Sequence, residues 1–190
     1  DGATTLRIVD MELGDLTSVD LIWAYHADSL TYHGTTKGAL NVNFESGMTT
    51  TVDDSTTTVD DAACSPSTLS REDGSTTLYD CVTDVTSEVS LHWTIDSTVV
   101  HVAISKTSDS GYLALGVPDS AGAMVTSDAF IASDGAVETY RLTAYSSDGV
   151  SQSSISVGYS EASVTVSDGA TTLRIVDMEL GDLTSVDLIW

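Results

Sequence analysis

Apolar and polar residues alternate in short runs along most of this chain, the period of a half-buried strand rather than of a helix. In ALNVNF, Leu40, Val42 and Phe44 share one side, and in EVSLHWTI, Leu91, Trp93 and Ile95 do. TLRIVDM, SVDLIW, VVHVAIS, GYLALGV, AMVTSDAFIA, ETYRLTAY, SSISVGY and ASVTVS read the same way. Turns rich in Gly, Asp and Ser, such as SDSG, SDG and SSDG, separate them, and no segment sustains a helical period. Short strands with frequent turn signals predict an all-β chain, an antiparallel β-sandwich of immunoglobulin-like architecture. Ser46 to Ala63, SGMTTTVDDSTTTVDDAA, breaks the pattern: it lacks large apolar residues and reads as a linker or exposed arm.

The first 23 residues, DGATTLRIVDMELGDLTSVDLIW, return unchanged as the last 23. Residue 1 recurs at 168, so the period is 168 − 1 = 167, the size of a whole domain and far longer than a solenoid repeat. Burial alone would preserve only the inward face, so identity at every position points to a recent duplication or to a stretch cut from a tandem array. In that reading the parent continues past Trp190 as Ala-Tyr-His, repeating from Ala24. The other reading is a 190-residue chain with two copies of one strand pair, able to polymerise by strand exchange.

Composition narrows the partners. Net charge is −23, with only Lys37, Lys106 and four Arg on the basic side, which argues against nucleic acid and anionic membrane as partners. No apolar run approaches the ~20 residues that span a bilayer. The opening DGATTLRIVD lacks the basic start and apolar centre of a signal peptide, as expected of an internal fragment of a longer precursor. Acid pairs such as Asp53-Asp54 and Asp60-Asp61 form no EF-hand loop, and no phosphate loop, G-x-S-x-G or H-E-x-x-H motif is present. Cys64 and Cys81 are too few and too far apart for a zinc ribbon or a redox CxxC pair. In an acidic, Ser/Thr-rich chain a disulfide is the expected state, closing a loop of about 17 residues worth on the order of 3 kcal/mol. Such a bond implies an extracellular or wall-facing address. N-linked sequons are absent, and Thr49, Thr50, Thr51, Ser55, Thr56, Thr57 and Thr58 are candidate O-glycan sites on compositional grounds.

From Cys81 the chain reads CVTDVTSEVSLHWTIDSTVVHVAISKTSDSGYLALGVPDSAGAMVTSDAFIAS, and residues 21–44 read LIWAYHADSLTYHGTTKGALNVNF. The LHWTID and GYLALGV strands, the small-residue turn into AMVTSDAFIA, and the WAY strand followed by a His-Gly turn resemble the DOMON domain, a β-sandwich family. Val137–Val166 carries less of the likeness. The order differs from the family's: the WAY…HG signature precedes the body instead of following it. The repeat accounts for this. Residues 1–45 look like the tail of one DOMON-like unit, 46–62 a Thr/Asp-rich linker, and 63–190 the body of the next, completed by a following copy.

Some DOMON domains, such as the cytochrome domain of cellobiose dehydrogenase, hold haem b between a Met and a His, while others bind sugars or have no known ligand. The resemblance places the Met at Met124, in AGAMVTSDAF, and the His at His33, in TYHGTTKG. A thioether and an imidazole fill both axial positions of the iron, which implies electron transfer and no catalysis by the domain alone. His33 and Met124 belong to different units, so contacts between neighbouring chains or copies would complete the site. His26, in the same loop region, is a rival ligand, and Tyr25, Tyr32 and Trp23 could wall a haem slot or simply pack a core. Without the resemblance, Met124 reads as core filler and His33 as a turn histidine. His92, out of phase with Leu91 and Trp93, is expected at the surface, His101 as a satisfied strand histidine, and Met11 and Met178 as core. The leading expectation is an extracellular filament of haem-bearing units that contact neighbouring copies of themselves. The alternatives are a cofactor-free, glycan-coated fibril or adhesin and, by fold analogy alone, a carbohydrate-binding module.

Overall fold

A computed structural model of the chain describes residues 23–26, 37–44, 48–53, 56–60, 64–119, 124–144, 147–180 and 186–187. Two antiparallel sheets dominate. The larger runs β13 (Val150–Gln152), β12 (Ala136–Leu142), β11 (Ser127–Ser133), β10 (Tyr112–Pro118), β1 (Trp23–His26), β2 (Lys37–Asn43), β3 (Met48–Asp53), β4 (Thr56–Asp60), and β16 (Val186–Asp187) also pairs with β2. The smaller runs β14 (Glu161–Ser167), β15 (Ala170–Met178), β9 (Val99–Lys106), β8 (Val89–Asp96), β7 (Cys81–Asp84). A separate hairpin joins β5 (Ser67–Ser70) to β6 (Thr76–Tyr79). The all-β sandwich expected from the alternation is what the chain forms.

Turn chemistry sets several of the registers. Asp134-Gly135 links β11 to β12 and Asp168-Gly169 links β14 to β15, each with φ positive at both residues (51° and 78°, 53° and 75°). Two positive φ values in a two-residue loop make a type I′ hairpin, for which Asp-Gly is favoured. The second of these turns is the opening Asp-Gly of the 23-residue repeat.

Alternation along the strands builds the core. Val89, Leu91 and Trp93 of β8, Val100, Val102 and Ile104 of β9, and Leu173, Ile175 and Met178 of β15 point from the smaller sheet into the sandwich. Leu113, Leu115, Phe130 and Ala132 answer from the larger. Phe44, at the end of β2, joins them: its ring meets Trp93 edge-on at 5.5 Å, and its carbonyl accepts a bond of 3.4 Å from Trp93 Nε1. Phe44 therefore contributes to the same core as the body more than forty residues further along the chain.

Three expectations change. SSISVGY is irregular rather than a strand, with a single bridge between Gly158 and Glu179, because its amides bond to the Asp128 carboxylate instead of to a ladder. Within the Thr/Asp tract, β3 and β4 form a hairpin paired onto β2, consistent with the β preference of Thr. His92 is buried, 5% exposed, and not at the surface. Its side of the smaller sheet is covered by the β5–β6 hairpin, whose Ser67 hydroxyl lies 2.8 Å from His92 Nδ1.

Candidate functional site

Strands β10 and β11 are apolar on both faces, unlike the usual antiparallel sheet with one solvated side. One face supplies the sandwich core. On the other, Tyr112, Ala114, Ala129, Ile131 and Leu142 form a second buried cluster. Gly116 falls on this face by alternation with Leu115 and lies opposite Ala129 in the ladder. Ala114, Gly116 and Ala129 are small, Ile131 stands opposite Ala114, and Met124 and Tyr140 pack against the cluster. Met124 sits three residues ahead of β11, half-buried against this cluster, in a turn whose Thr126 has φ 70°.

Two phenols in this region are held protonated. Burial pushes Tyr112 up to about 12. Tyr140 donates to Glu138 Oε2 at 2.6 Å, and that bond, with burial second, pushes it up to about 12 as well. This face therefore carries a buried apolar cluster with the Met124 thioether packed against it and the Tyr140–Glu138 pair at its β12 side. A soft sulfur is the donor type that suits haem iron.

The second axial candidate, His33, lies outside the described residues. The connection that carries it runs from β1 to β2, and β1 is the neighbour of β10: Tyr25 pairs with Leu113 and His26 with Tyr112. The rival His26 is thus a strand residue at the Tyr112 end of the face, while Met124 precedes Ser127, the partner of Pro118 at the other end. Trp23 and Tyr25 are β1 residues, and Tyr32 lies outside the described residues. Thr49, Thr50 and Thr51 fall in β3 and Thr56, Thr57 and Thr58 in β4; Ser55 lies outside the described residues.

The other expected residues are placed as follows. Cys64 and Cys81 form the disulfide, with Cα atoms 4.8 Å apart. Met178 is in the core; Met11 lies outside the described residues. His101 is half-buried and satisfied, its Nδ1 accepting from the Asp177 amide at 3.2 Å. Among the described residues no group of three or more His, Cys, Asp or Glu could hold a metal ion, and no helix is long and apolar enough to cross a membrane.

Sequence reasoning missed three buried polar centres. Asp128, 2% exposed, accepts from Arg141 Nη1 at 2.8 Å, the Ser156 amide at 2.6 Å, the Val157 amide at 3.2 Å and the Ser156 hydroxyl. Burial opposes its ionisation, but the bonds from Ser156, Arg141 and Val157 outweigh that and hold its carboxyl below the usual range. Arg141 also pairs with Asp119. Arg174, 3% exposed, donates to Thr165 Oγ1 at 2.9 Å and to the Ser70 carbonyl, tying the β5–β6 hairpin to the sheet. Lys106 donates to the Ser110 and Tyr112 carbonyls, and burial lowers its pKa. The available signal was a single charge inside an apolar run, as in TLRIV and SDAFIA.

No family model, curated protein or solved structure matches the chain. The DOMON likeness rests on the motifs themselves.

Proposed function

We propose that the chain is a unit of an extracellular filament whose β-sandwich domains bind haem b through Met124 and His33 and transfer electrons. The observation that carries this reading is the position of Met124, a thioether half-buried against the apolar cluster of Tyr112, Ala114, Ala129, Ile131 and Leu142. The group would supply one-electron chemistry when bound. The chain's own part would be to offer sulfur and imidazole beside an apolar cluster whose Tyr112 phenol stays protonated. Met124 and His33 would hold the group between them, which suits a carrier of electrons rather than a catalyst. The disulfide supports the extracellular address. A pyridine haemochrome assay on the purified chain, after incubation with haemin, tests the reading: haem retained by the wild type and lost from both Met124→Leu and His33→Ala is expected, and no haem signal sinks it.

A second reading, a cofactor-free fibril with glycans, is favoured by one observation. The Thr-rich β4 closes one edge of the larger sheet. Exposed edges invite unwanted pairing, and O-glycans on Thr56, Thr57 and Thr58 would block it. Intact mass spectrometry of native material that finds Thr49–Thr58 unmodified counts against the glycans.

A further inference from the structure

The two copies of the 23-residue repeat meet at one place in the fold. On one edge, β2 pairs with β3, including Asn41 with Thr50 and Val42 with Thr49. Its other edge takes two partners. Trp23 and Ala24 of β1 pair with Gly38 and Lys37, and Val186 and Asp187 of β16 pair with Val42 and Asn41. Both β1 and β16 also lie against β10. The two short strands therefore share the single strand position between β10 and β2, β1, which begins at the last residue of the first copy, at one end and Val186–Asp187 of the second copy at the other.

Their registers coincide. Across β1 and β2 the paired numbers add to 61, 23 with 38 and 24 with 37. The same antiparallel ladder, continued, sets position 19 opposite 42 and position 20 opposite 41. Val186 and Asp187 are Val19 and Asp20 one period of 167 later, and they pair with those same two residues, Val42 and Asn41. Val19 and Asp20 themselves lie outside the described residues. A slip of one residue would turn every side chain to the opposite face, so register is a specific property of a strand and its slot. Chain connectivity does not impose this agreement, because corresponding positions of the two copies lie 167 residues apart.

We propose that the strand position between β10 and β2 is an exchange site, paired in one register with Trp23–Ala24 and with Val186–Asp187, and that a second copy of this chain is its partner. One molecule gives its β16 strand, Val186–Asp187, to the β2 edge of the next. Donor and acceptor surfaces differ, so the contact is heterologous, and repetition produces an open filament rather than a closed dimer. The main-chain bonds are those of strand addition, identical for either copy, so occupancy is set by the effective concentration of each. This names the joint of the filament proposed above. It depends on the fibre part of that reading and not on haem, so cross-linking and haem retention can fail separately.

Cysteine pairs in the otherwise intact chain test it. Two in-register pairs are needed, Val42→Cys with Val186→Cys and Asn41→Cys with Asp187→Cys, because successive antiparallel pairs differ in spacing and one suits a disulfide better. The off-register control is Asn41→Cys with Val186→Cys. Each pair is made within one chain and also split between two chains mixed at high concentration, and bonds are mapped by digestion and mass spectrometry. Expected are a cross-link within the chain for an in-register pair, a covalent dimer from its split form, and at least a tenfold lower yield from the control. No in-register bond in either format, or equal yield from the control, overturns the site. Bonds only within one chain at every concentration overturn the exchange between copies.

Discussion

His92 is held between two hydroxyls beneath the β5–β6 hairpin, Ser67 Oγ 2.8 Å from Nδ1 and Ser105 Oγ 2.9 Å from Nε2. A hydroxyl can donate or accept, so both bonds survive whether the ring carries one proton or two. Hydrogen bonding therefore does not choose the protonation state. Burial does: it drives the imidazole pKa from 6.5 down to about 4, with Asp84 pulling it up and Arg174 adding to the fall. Because the folded value lies below the unfolded one, the unfolded chain takes up its proton first as the medium acidifies. The contribution is complete above about pH 6.5 and is lost as pH falls toward 4, a difference of about 3 kcal/mol for a shift of this size. From pH 7 to 4.5 the wild type should lose roughly 2 to 3 kcal/mol more than His92→Gln, which keeps a polar group but cannot titrate. For a chain of this length that is a Tm difference of roughly 4 to 12 °C. Urea unfolding of both proteins at half-unit pH steps measures it. Parallel stability curves within about 0.5 kcal/mol, well below the linkage expected here, or an NMR titration of His92 near its ordinary value, would refute the reasoning.

Other perturbations follow from the same structure. Asp128→Ala removes the acceptor for Arg141, Ser156 and Val157 and should destabilise by about 3 to 5 kcal/mol in urea, with SSISVGY gaining fast amide exchange. Asp128 also contributes to acid sensitivity: its lowered pKa means stability present at neutral pH and lost as the carboxyl protonates, so Asp128→Ala should flatten the curve below about pH 4. Replacing Cys64 and Cys81 by Ser opens a 17-residue loop and should cost about 3 kcal/mol, read as a lower thermal midpoint that reductant no longer changes. Met124→Leu conserves volume at a half-buried position and should change stability by less than about 1.5 kcal/mol, so any loss of haem in it reports ligation and not unfolding.

The strands of the body were legible because alternation and turn chemistry agree there. Leu91 and Trp93, Val100 and Val102, and Leu113 and Leu115 alternate with residues of the opposite face, and Asp-Gly pairs mark where the chain reverses. His92 was misread for a related reason. Period-2 alternation says that a residue faces away from Leu91 and Trp93, but not whether a hairpin 25 residues upstream covers that side. The same limit hid the second cluster: Ala114 and Ala129 look like outward positions until the face they occupy proves apolar. SSISVGY failed as a strand because a competing acceptor, Asp128, lies 28 residues away in sequence and no local pattern records it. Met124 was singled out through family likeness rather than period, and the structure places it half-buried against the second cluster. The coincidence of the two repeat copies at β2 depends on long-range pairing and could not be seen from the repeat alone.

The central claim is that Met124 ligates haem iron, and the reduction potential of the reconstituted chain tests it most directly. A Met/His pair raises the potential, so exchanging the thioether for a second imidazole in Met124→His should lower it while haem stays bound and the spectrum stays low-spin. A potential unchanged by that substitution, or a wild-type chain that takes up no haem at all, would contradict the account.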